Sequence, residues 1–244
     1  LKSFGHYKNL VGFKGEVICG NINNKDDLLL LQKYSFDYIF HHAAISDTRV
    51  YDQEVIMQTN VNSFHDILDI AKQNNSILIY ASSAATYGSL PSPQTVGKEN
   101  PENPYGYSKY LMDQIAANFL IKNPSMVVVG LRFFNVYGPK EYFKAKTASM
   151  VIQLGHQILS GKPPKLFEHS DQILRDFIYI DDVVQANIKA CSPKKSGVFN
   201  VGTGLPRSFQ EVADILQNEL ETDLGTEYFP NPLKGYQMHT QADI

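Results

Sequence analysis

Tyr105-Gly106-Tyr107-Ser108-Lys109 sets a phenol and an amine four residues apart, and on a helix that spacing puts both on one face, one turn apart. A free tyrosine titrates near ~10 and is a poor base at neutral pH. A neighbouring ammonium favours the phenolate, so the spacing predicts a tyrosine drawn toward the working range. Upstream, Ser83 closes the apolar stretch Ile77 to Ser82, where its hydroxyl can hold a substrate alcohol beside that phenolate. The trio of Ser83, Tyr105 and Lys109 is suited to taking a proton from a carbinol while another group accepts the hydride. That is dehydrogenase-type chemistry.

Strand-like and helix-like stretches alternate around these residues. Strands are expected at Glu16–Cys19, Phe36–Phe40, Ile77–Ala81 and Met126–Phe133, and helices at Lys25–Tyr34, Val55–Asn74 and Tyr105–Lys122. Apolar runs such as the last strand suit parallel strands covered on both faces, so the alternation implies βαβ units and a doubly wound parallel sheet. Polar residues gather at the strand ends: His41-His42, Ser82-Ser83, and Arg132 to Tyr137. In such sheets ligands bind beyond the carboxyl ends of the strands. After Pro139 the pattern loosens into a helix over Ala148–Ser160, an alternating strand over Arg175–Asp182, a helix over Val183–Cys191, and a return to the sheet at Gly197–Gly202. The expected division is a dinucleotide-binding domain from 1–138 and about 176–202, with a smaller interleaved substrate lobe from about 139–175 and 203–244.

The bulk numbers exclude other classes. A net charge of −3 argues against nucleic acid or a membrane surface as the main partner. No apolar run approaches the ~20 residues of a membrane span. The two cysteines, Cys19 and Cys191, match no metal spacing and read as thiols of a reducing compartment, with cytoplasm the default. His41 and His42 are neighbours on a strand, point to opposite faces and make a poor metal pair, so no metal is expected.

Four segments carry a family pattern: Ser82-Ser83-Ala84-Ala85-Thr86-Tyr87-Gly88, Tyr105 to Lys109, Arg132-Phe133-Phe134-Asn135-Val136-Tyr137-Gly138-Pro139, and Arg175-Asp176-Phe177-Ile178-Tyr179-Ile180. In this order, over essentially the whole chain, they resemble the extended short-chain dehydrogenase/reductase superfamily of nucleotide-sugar enzymes. Lys144-Ala145-Lys146-Thr147-Ala148-Ser149, Lys165 to Ser170, Leu233-Lys234-Gly235-Tyr236 and Thr240-Gln241-Ala242-Asp243 are similar to its ADP-heptose 6-epimerase branch, which serves the lipopolysaccharide inner core. The resemblance implies a Rossmann fold and NADP, with NAD possible. It also implies inversion at C6 of ADP-D-glycero-D-manno-heptose through a 6-ketone, and a homo-oligomer, a pentamer in this family.

Site residues follow from the same resemblance. Tyr105, Ser83 and Lys109 are joined by Lys144 as a second acid/base on the opposite face; a loop charge or phosphate contact is its alternative role. The cofactor is expected along His42-Ala43-Ala44-Ile45-Ser46, Thr59, Asn60, Lys109, Val136, Lys144 and Lys25, although Asn60 can equally be a structural hydrogen-bonding residue and Lys25 an exposed helix-start lysine. The substrate is expected at Ser83, Asn135, Lys146, Gln153, Phe167, Glu168, His169, Ser170, Arg175 and Tyr236. Arg175 suits a diphosphate, its alternative being a salt bridge to Asp176 or Asp181.

Three other readings compete. A 4,6-dehydratase usually has an acidic pair after the catalytic hydroxyl, where this chain has Ala84-Ala85. A UDP-hexose 4-epimerase shares the Ser, Tyr and Lys but does not require Lys144. A non-catalytic reductase-fold binding protein would lack phosphate-loop glycines, and no strand here leads into Gly-x-x-Gly-x-x-Gly or Gly-x-Gly-x-x-Gly. That loop cradles pyrophosphate at a helix N-terminus. The resemblance puts it before Leu1, so the expectation is an N-terminally incomplete chain that binds NADP poorly alone.

Overall fold

The computed structural model describes residues 7–193, 195–232 and 236–244, the side chains of 145 and 146 excepted. After a 3₁₀ turn at Tyr7–Leu10, helix α1 (Lys25–Leu29) starts at Asn24, whose side chain accepts from the Asp26 amide, and continues as a 3₁₀ turn over Leu30–Lys33. The stretch Glu16–Cys19, expected as a strand, belongs to no sheet among the described residues, and Val17 is 60% exposed. β-Branched residues hold an extended pairing only where a neighbouring strand takes their backbone groups and a covered face takes their side chains. Among the described residues neither is provided there.

Strand β1 (Tyr38–His41) leads through a loop to α2 (Gln53–Ile56), capped by Asp52. The helix widens into a π-turn over Met57–Asn62 and resumes as α3 (Ser63–Asn74), stopping at Asn75 with φ 53°. Phe64, Ile67, Leu68 and Ala71 recur at helical spacing and are buried against the sheet. Then come β2 (Ile77–Ser83), a 3₁₀ turn over Ala84–Tyr87, and α4 (Pro104–Lys122). Helix α4 opens with Pro104 in its first turn and the Asn103 side chain accepting from the Gly106 amide at 2.8 Å.

The second half comprises β3 (Val128–Phe133), β4 (Asn135–Tyr137), a 3₁₀ turn over Tyr142–Thr147, α5 (Met150–Leu159) and β5 (Lys165–Phe167). It continues with β6 (Leu174–Arg175), β7 (Phe177–Tyr179), α6 (Ile180–Ala190), β8 (Gly197–Val201), β9 (Arg207–Ser208), α7 (Phe209–Glu219) and β10 (Glu227–Phe229). The expected single strand over Arg175–Asp182 is instead two short strands in different sheets, with Ile180–Asp182 in α6. Asp176 breaks it: its buried carboxylate accepts from the Thr203, Gly204 and Ala242 amides at 2.7, 2.9 and 2.9 Å. Helix α7, absent from the sequence reading, bears a capping box in which Ser208 and Glu211 bond each other's amides.

The central sheet is parallel throughout, in the order β1-β2-β3-β8. Helices α3 and α4 bury Phe64, Leu68, Leu78, Tyr80, Met112 and Val128 on one face. Helix α6 covers Ile79, Val129, Leu131 and Val201 on the other. Each such side chain contributes about 1.5–3 kcal/mol on burial, so both faces are anchored and the doubly wound α/β arrangement expected from the alternation is formed. A separate cluster joins Leu154 of α5, Leu166 of β5 and Phe209 and Ala213 of α7. Among the described residues no helix is long and apolar enough to cross a membrane.

Candidate active site

A cleft of about 650 Å³ opens at the carboxyl ends of β1, β2 and β3. Ser83, Tyr105, Lys109, Lys144, Val136, His42, Ala44 and Ser46 line it, so the expected catalytic set and much of the expected cofactor wall meet in one place. Ser83 arrives as the last residue of β2, its Oγ accepting from the Ala85 amide at 3.1 Å. Tyr105 arrives in the first turn of α4 because that helix crosses the turn after β2 closely: a Cβ on Gly106 would lie 2.4 Å from the Ala85 carbonyl oxygen. Lys109 follows one turn later, buried, with Nζ donating to the Ala81 carbonyl at 2.7 Å and 6.0 Å from the Tyr105 ring centre.

Electrostatics differ in one respect from the expectation. Burial raises Tyr105 above the ordinary tyrosine range and a hydrogen bond with Ser83 opposes it, so desolvation, and not the Lys109 charge, governs the phenol here. Burial lowers Lys109 to about 8, against an upward pull from Asp113. Lys144 lies on the 3₁₀ turn after β4, its Nζ 3.8 Å from Glu141 Oε2, and remains 45% exposed. Glu141 is itself buried and accepts from the Gly138 and Ser149 amides, which fixes the base of that turn.

His41, the last residue of β1, and His42, just after it, point apart. His42 lies between Phe40 and Phe133, with ring centres 6.5 and 5.9 Å away, and desolvation lowers it. His41 is buried against Phe64 on the opposite face. Among the described residues no group of three His, Cys, Asp or Glu side chains could hold a metal ion.

Other expected residues lie around the cleft instead of in it. Asn60 is fully buried in the π-turn; its Oδ1 accepts from the Ile45 amide at 2.8 Å, and its Nδ2 donates to Ile45 O and Ser108 Oγ at 3.0 and 2.9 Å. It therefore brackets the loop that carries Ala43 to Ser46 against α4. Thr59 accepts from Asn23 Nδ2, and Lys25 is 83% exposed beside Asp66.

Of the other expected substrate residues, Arg175, Tyr236 and Phe167 pack together. Arg175, buried, donates to the Leu174 and Gln237 carbonyls, with its guanidinium carbon 4.9 Å from the Tyr236 ring centre and 5.5 Å from that of Phe209. Burial lowers it, and among the described residues no carboxylate is paired with it. Phe167 packs edge-on to Tyr236 at 5.6 Å. Glu168 and His169 line a neighbouring cup of about 330 Å³, and Ser170 bonds Gln210 beside it. Asn135 begins β4 with its amide on Asp176 O, and Gln153 Nε2 is held by the Ala148 carbonyl. The Lys146 side chain and residues 233–235 lie outside the described set.

One wall of the cleft escaped the sequence reading. Ile180, Val183, Val184, Asn187 and Ile188 of α6 line it, yet Val184 and Ile188 are exposed. Their spacing marks one helix face, and that periodicity was available in the sequence.

The sequence matches the NAD dependent epimerase/dehydratase family over residues 4–202. Among solved structures, the chain is similar to ADP-L-glycero-D-manno-heptose-6-epimerase from Helicobacter pylori, with 50% identity, a TM-score of 0.91, and coverage of 99% of this chain and 75% of that one. UDP-N-acetylglucosamine 4-epimerase from Methanobrevibacter ruminantium, solved with UDP-N-acetylmuramic acid, shows 27% identity, a TM-score of 0.89, and 98% and 78% coverage. MoeE5, solved with UDP-glucose and NAD, shows 26% identity, a TM-score of 0.81, and 93% and 76% coverage.

Proposed function

Since the chain belongs to the NAD dependent epimerase/dehydratase family, we propose that it inverts C6 of ADP-D-glycero-D-manno-heptose, giving the L-glycero epimer without net oxidation. The observation that carries this reading is the convergence of Ser83, Tyr105, Lys109 and Lys144 on one cleft. A nicotinamide dinucleotide, when bound, supplies reversible two-electron exchange at the carbinol carbon. The residues present fit its nicotinamide end: small Ala44 and Ser46 and apolar Val136 and Phe133 line the cleft. Lys109, whose ammonium has three donors, gives one to Ala81 O and makes a long contact to Met112 Sδ, leaving a donor for a ribose hydroxyl. NADP is our choice of dinucleotide, on the family resemblance.

Each residue then has a defined task. Ser83 Oγ holds the substrate alcohol beside Tyr105, whose Oη takes the hydroxyl proton as the carbonyl forms. The Lys109 charge favours the phenolate through this exchange. Lys144, on a different element and tethered near Glu141, serves the alcohol of inverted configuration. Arg175, a buried guanidinium without a carboxylate partner among the described residues, takes the diphosphate, with Phe167 and Tyr236 beside it. Residues 139–175 and 203–244 form the substrate lobe. We further assign the enzyme to the cytoplasm, as a homo-oligomer supplying heptose for the lipopolysaccharide inner core.

The likeness to 4-epimerases supports a second reading, action on a UDP-hexose. The two separate in one experiment. The complete gene product, loaded with NADP, is incubated with ADP-D-glycero-D-manno-heptose or UDP-glucose, and products are read by NMR. The L-glycero epimer supports the first reading; unchanged heptose with turnover of UDP-glucose establishes the second.

A further inference from the structure

Behind the cleft lies a buried charge cluster with no part in the steps above. Asp113 stands one turn beyond Lys109 on α4 and is 3% exposed. Its Oδ1 accepts from the Tyr80 hydroxyl at 2.8 Å, while Oδ2 accepts from Ser82 Oγ at 3.0 Å and from Arg132 Nε and Nη2 at 3.0 and 2.8 Å. Four donors on two oxygens suit an ionised carboxylate. Arg132, equally buried, turns Nη1 to Glu99 Oε1 at 2.6 Å. Gly130 faces Tyr80 across β2 and β3, and a Cβ there would lie 2.5 Å from the Tyr80 hydroxyl oxygen. The glycine leaves the space from which Tyr80 reaches Asp113.

The charge balance gives the cluster its meaning. Asp113 and Arg132 alone would cancel, leaving little field at Lys109. Glu99, on the far side of Arg132, makes the trio net negative by one charge, and the nearby Lys109 ammonium completes a neutral row. Removing a charge from such a row leaves another uncompensated in a low-dielectric site. We propose that Asp113, held by Arg132, which Glu99 braces from its far side, is a positioning residue one turn beyond Lys109 on α4 that keeps Lys109 charged.

The surroundings of Lys109 support this assignment. His41, at the end of β1, and His42, just after it, lie near Lys109, Tyr105 and Asp113 flank it on its own helix, Lys144 lines the same cleft, and Tyr80, Ser82 and Arg132 reach Asp113. His41 is lowered to about 3 and is neutral. Asp113 is the group that pulls Lys109 upward against burial.

The inference deepens the role given to Lys109 in the proposed epimerase, but its test needs no turnover. Lysine labelled with ¹³C at Cε is titrated by NMR, with the Lys109 signal assigned by its loss in Lys109→Met. In Asp113→Asn the Lys109 midpoint falls by about one pH unit or more, a tenfold loss of proton affinity, and Asp113→Glu restores it. Asparagine is isosteric: its oxygen can take the Arg132 and Ser82 bonds while its amide donates to Tyr80, so the fold is expected to survive, as far-UV circular dichroism would check. Should that variant not fold, Glu99→Gln reads the same effect from the far side of Arg132, with a smaller fall expected. An unmoved midpoint in the folded variant, or a neutral Lys109 amine at pH 7 in the parent, overturns the proposal. Either result leaves the heptose assay standing, and failure of that assay leaves the titration standing.

Discussion

Replacing Asn60 by alanine tests whether one buried amide holds the two sides of the site together. The substitution removes contacts of 2.8, 3.0 and 2.9 Å to Ile45 N, Ile45 O and Ser108 Oγ. The Ile45 amide loses its acceptor in a partly buried setting, which costs about 1–3 kcal/mol. The Ile45 carbonyl loses a donor, adding about 0.5–1.5 kcal/mol for an ordinary hydrogen bond. Ser108 suffers least, because its hydroxyl keeps its own donation to Tyr105 O at 2.7 Å. The total expected is about 2–4 kcal/mol of lost stability. With no tryptophan in the chain, urea unfolding is best followed by far-UV circular dichroism, where the midpoint should fall with little change in slope. Freed from α4, the 43–46 loop should also raise KM for the dinucleotide more than it lowers kcat. A loss below about 0.5 kcal/mol with unchanged kinetics would refute the bracket, since that is the size of an ordinary surface change.

Other perturbations read other parts of the site. Tyr105→Phe keeps the ring and removes the proton acceptor; kcat should fall about 10²–10⁴-fold with the melting temperature nearly unchanged, and a loss below tenfold would remove Tyr105 from proton transfer. Lys144→Ala should reduce heptose epimerisation by a comparable factor, and near-full activity would demote Lys144 to a loop charge, as in a 4-epimerase. His41 is neutral when folded, lowered to about 3 by burial, and titrates near ~6.5 when unfolded. Unfolding therefore takes up a proton between those values, so stability falls as pH drops below ~6.5, by up to about 1.4 kcal/mol per pH unit from this group. In His41→Leu the difference from the parent should shift in favour of the variant as pH falls from 6.5 to 4.5, measured by urea midpoints; parallel pH profiles would show that His41 is not a buried neutral histidine.

The central sheet and the trio Ser83, Tyr105 and Lys109 were legible because each rests on local signals: apolar runs ended by polar residues, and a four-residue helical spacing. The ends of Tyr38–His41 and Val128–Phe133 differ from expectation by one or two residues, set by which amides pair with a neighbour. What escaped depends on partners distant in sequence. Glu16–Cys19 has strand composition, but composition does not supply a pairing edge. Asp176 reads as part of an alternating strand until Thr203, Gly204 and Ala242 gather on it. The Tyr105 phenol was expected to be governed by Lys109, yet spacing carries no measure of burial, and burial prevails. Of the residues expected at the substrate, Arg175, Tyr236 and Phe167 pack together in a way that sequence distance alone would not have joined.

The proposed reaction is oxidation and re-reduction at one carbon, with proton exchange through Tyr105 and Lys144. Turnover of ADP-D-glycero-D-manno-heptose deuterated at C6, in ordinary water with only catalytic NADP, tests it most directly. The expected L-glycero product keeps its deuterium at C6, with no accumulation of reduced dinucleotide. Product carrying solvent hydrogen at C6 would contradict it, because the proton groups of the cleft would then be exchanging the carbon-bound hydrogen and not only the hydroxyl proton.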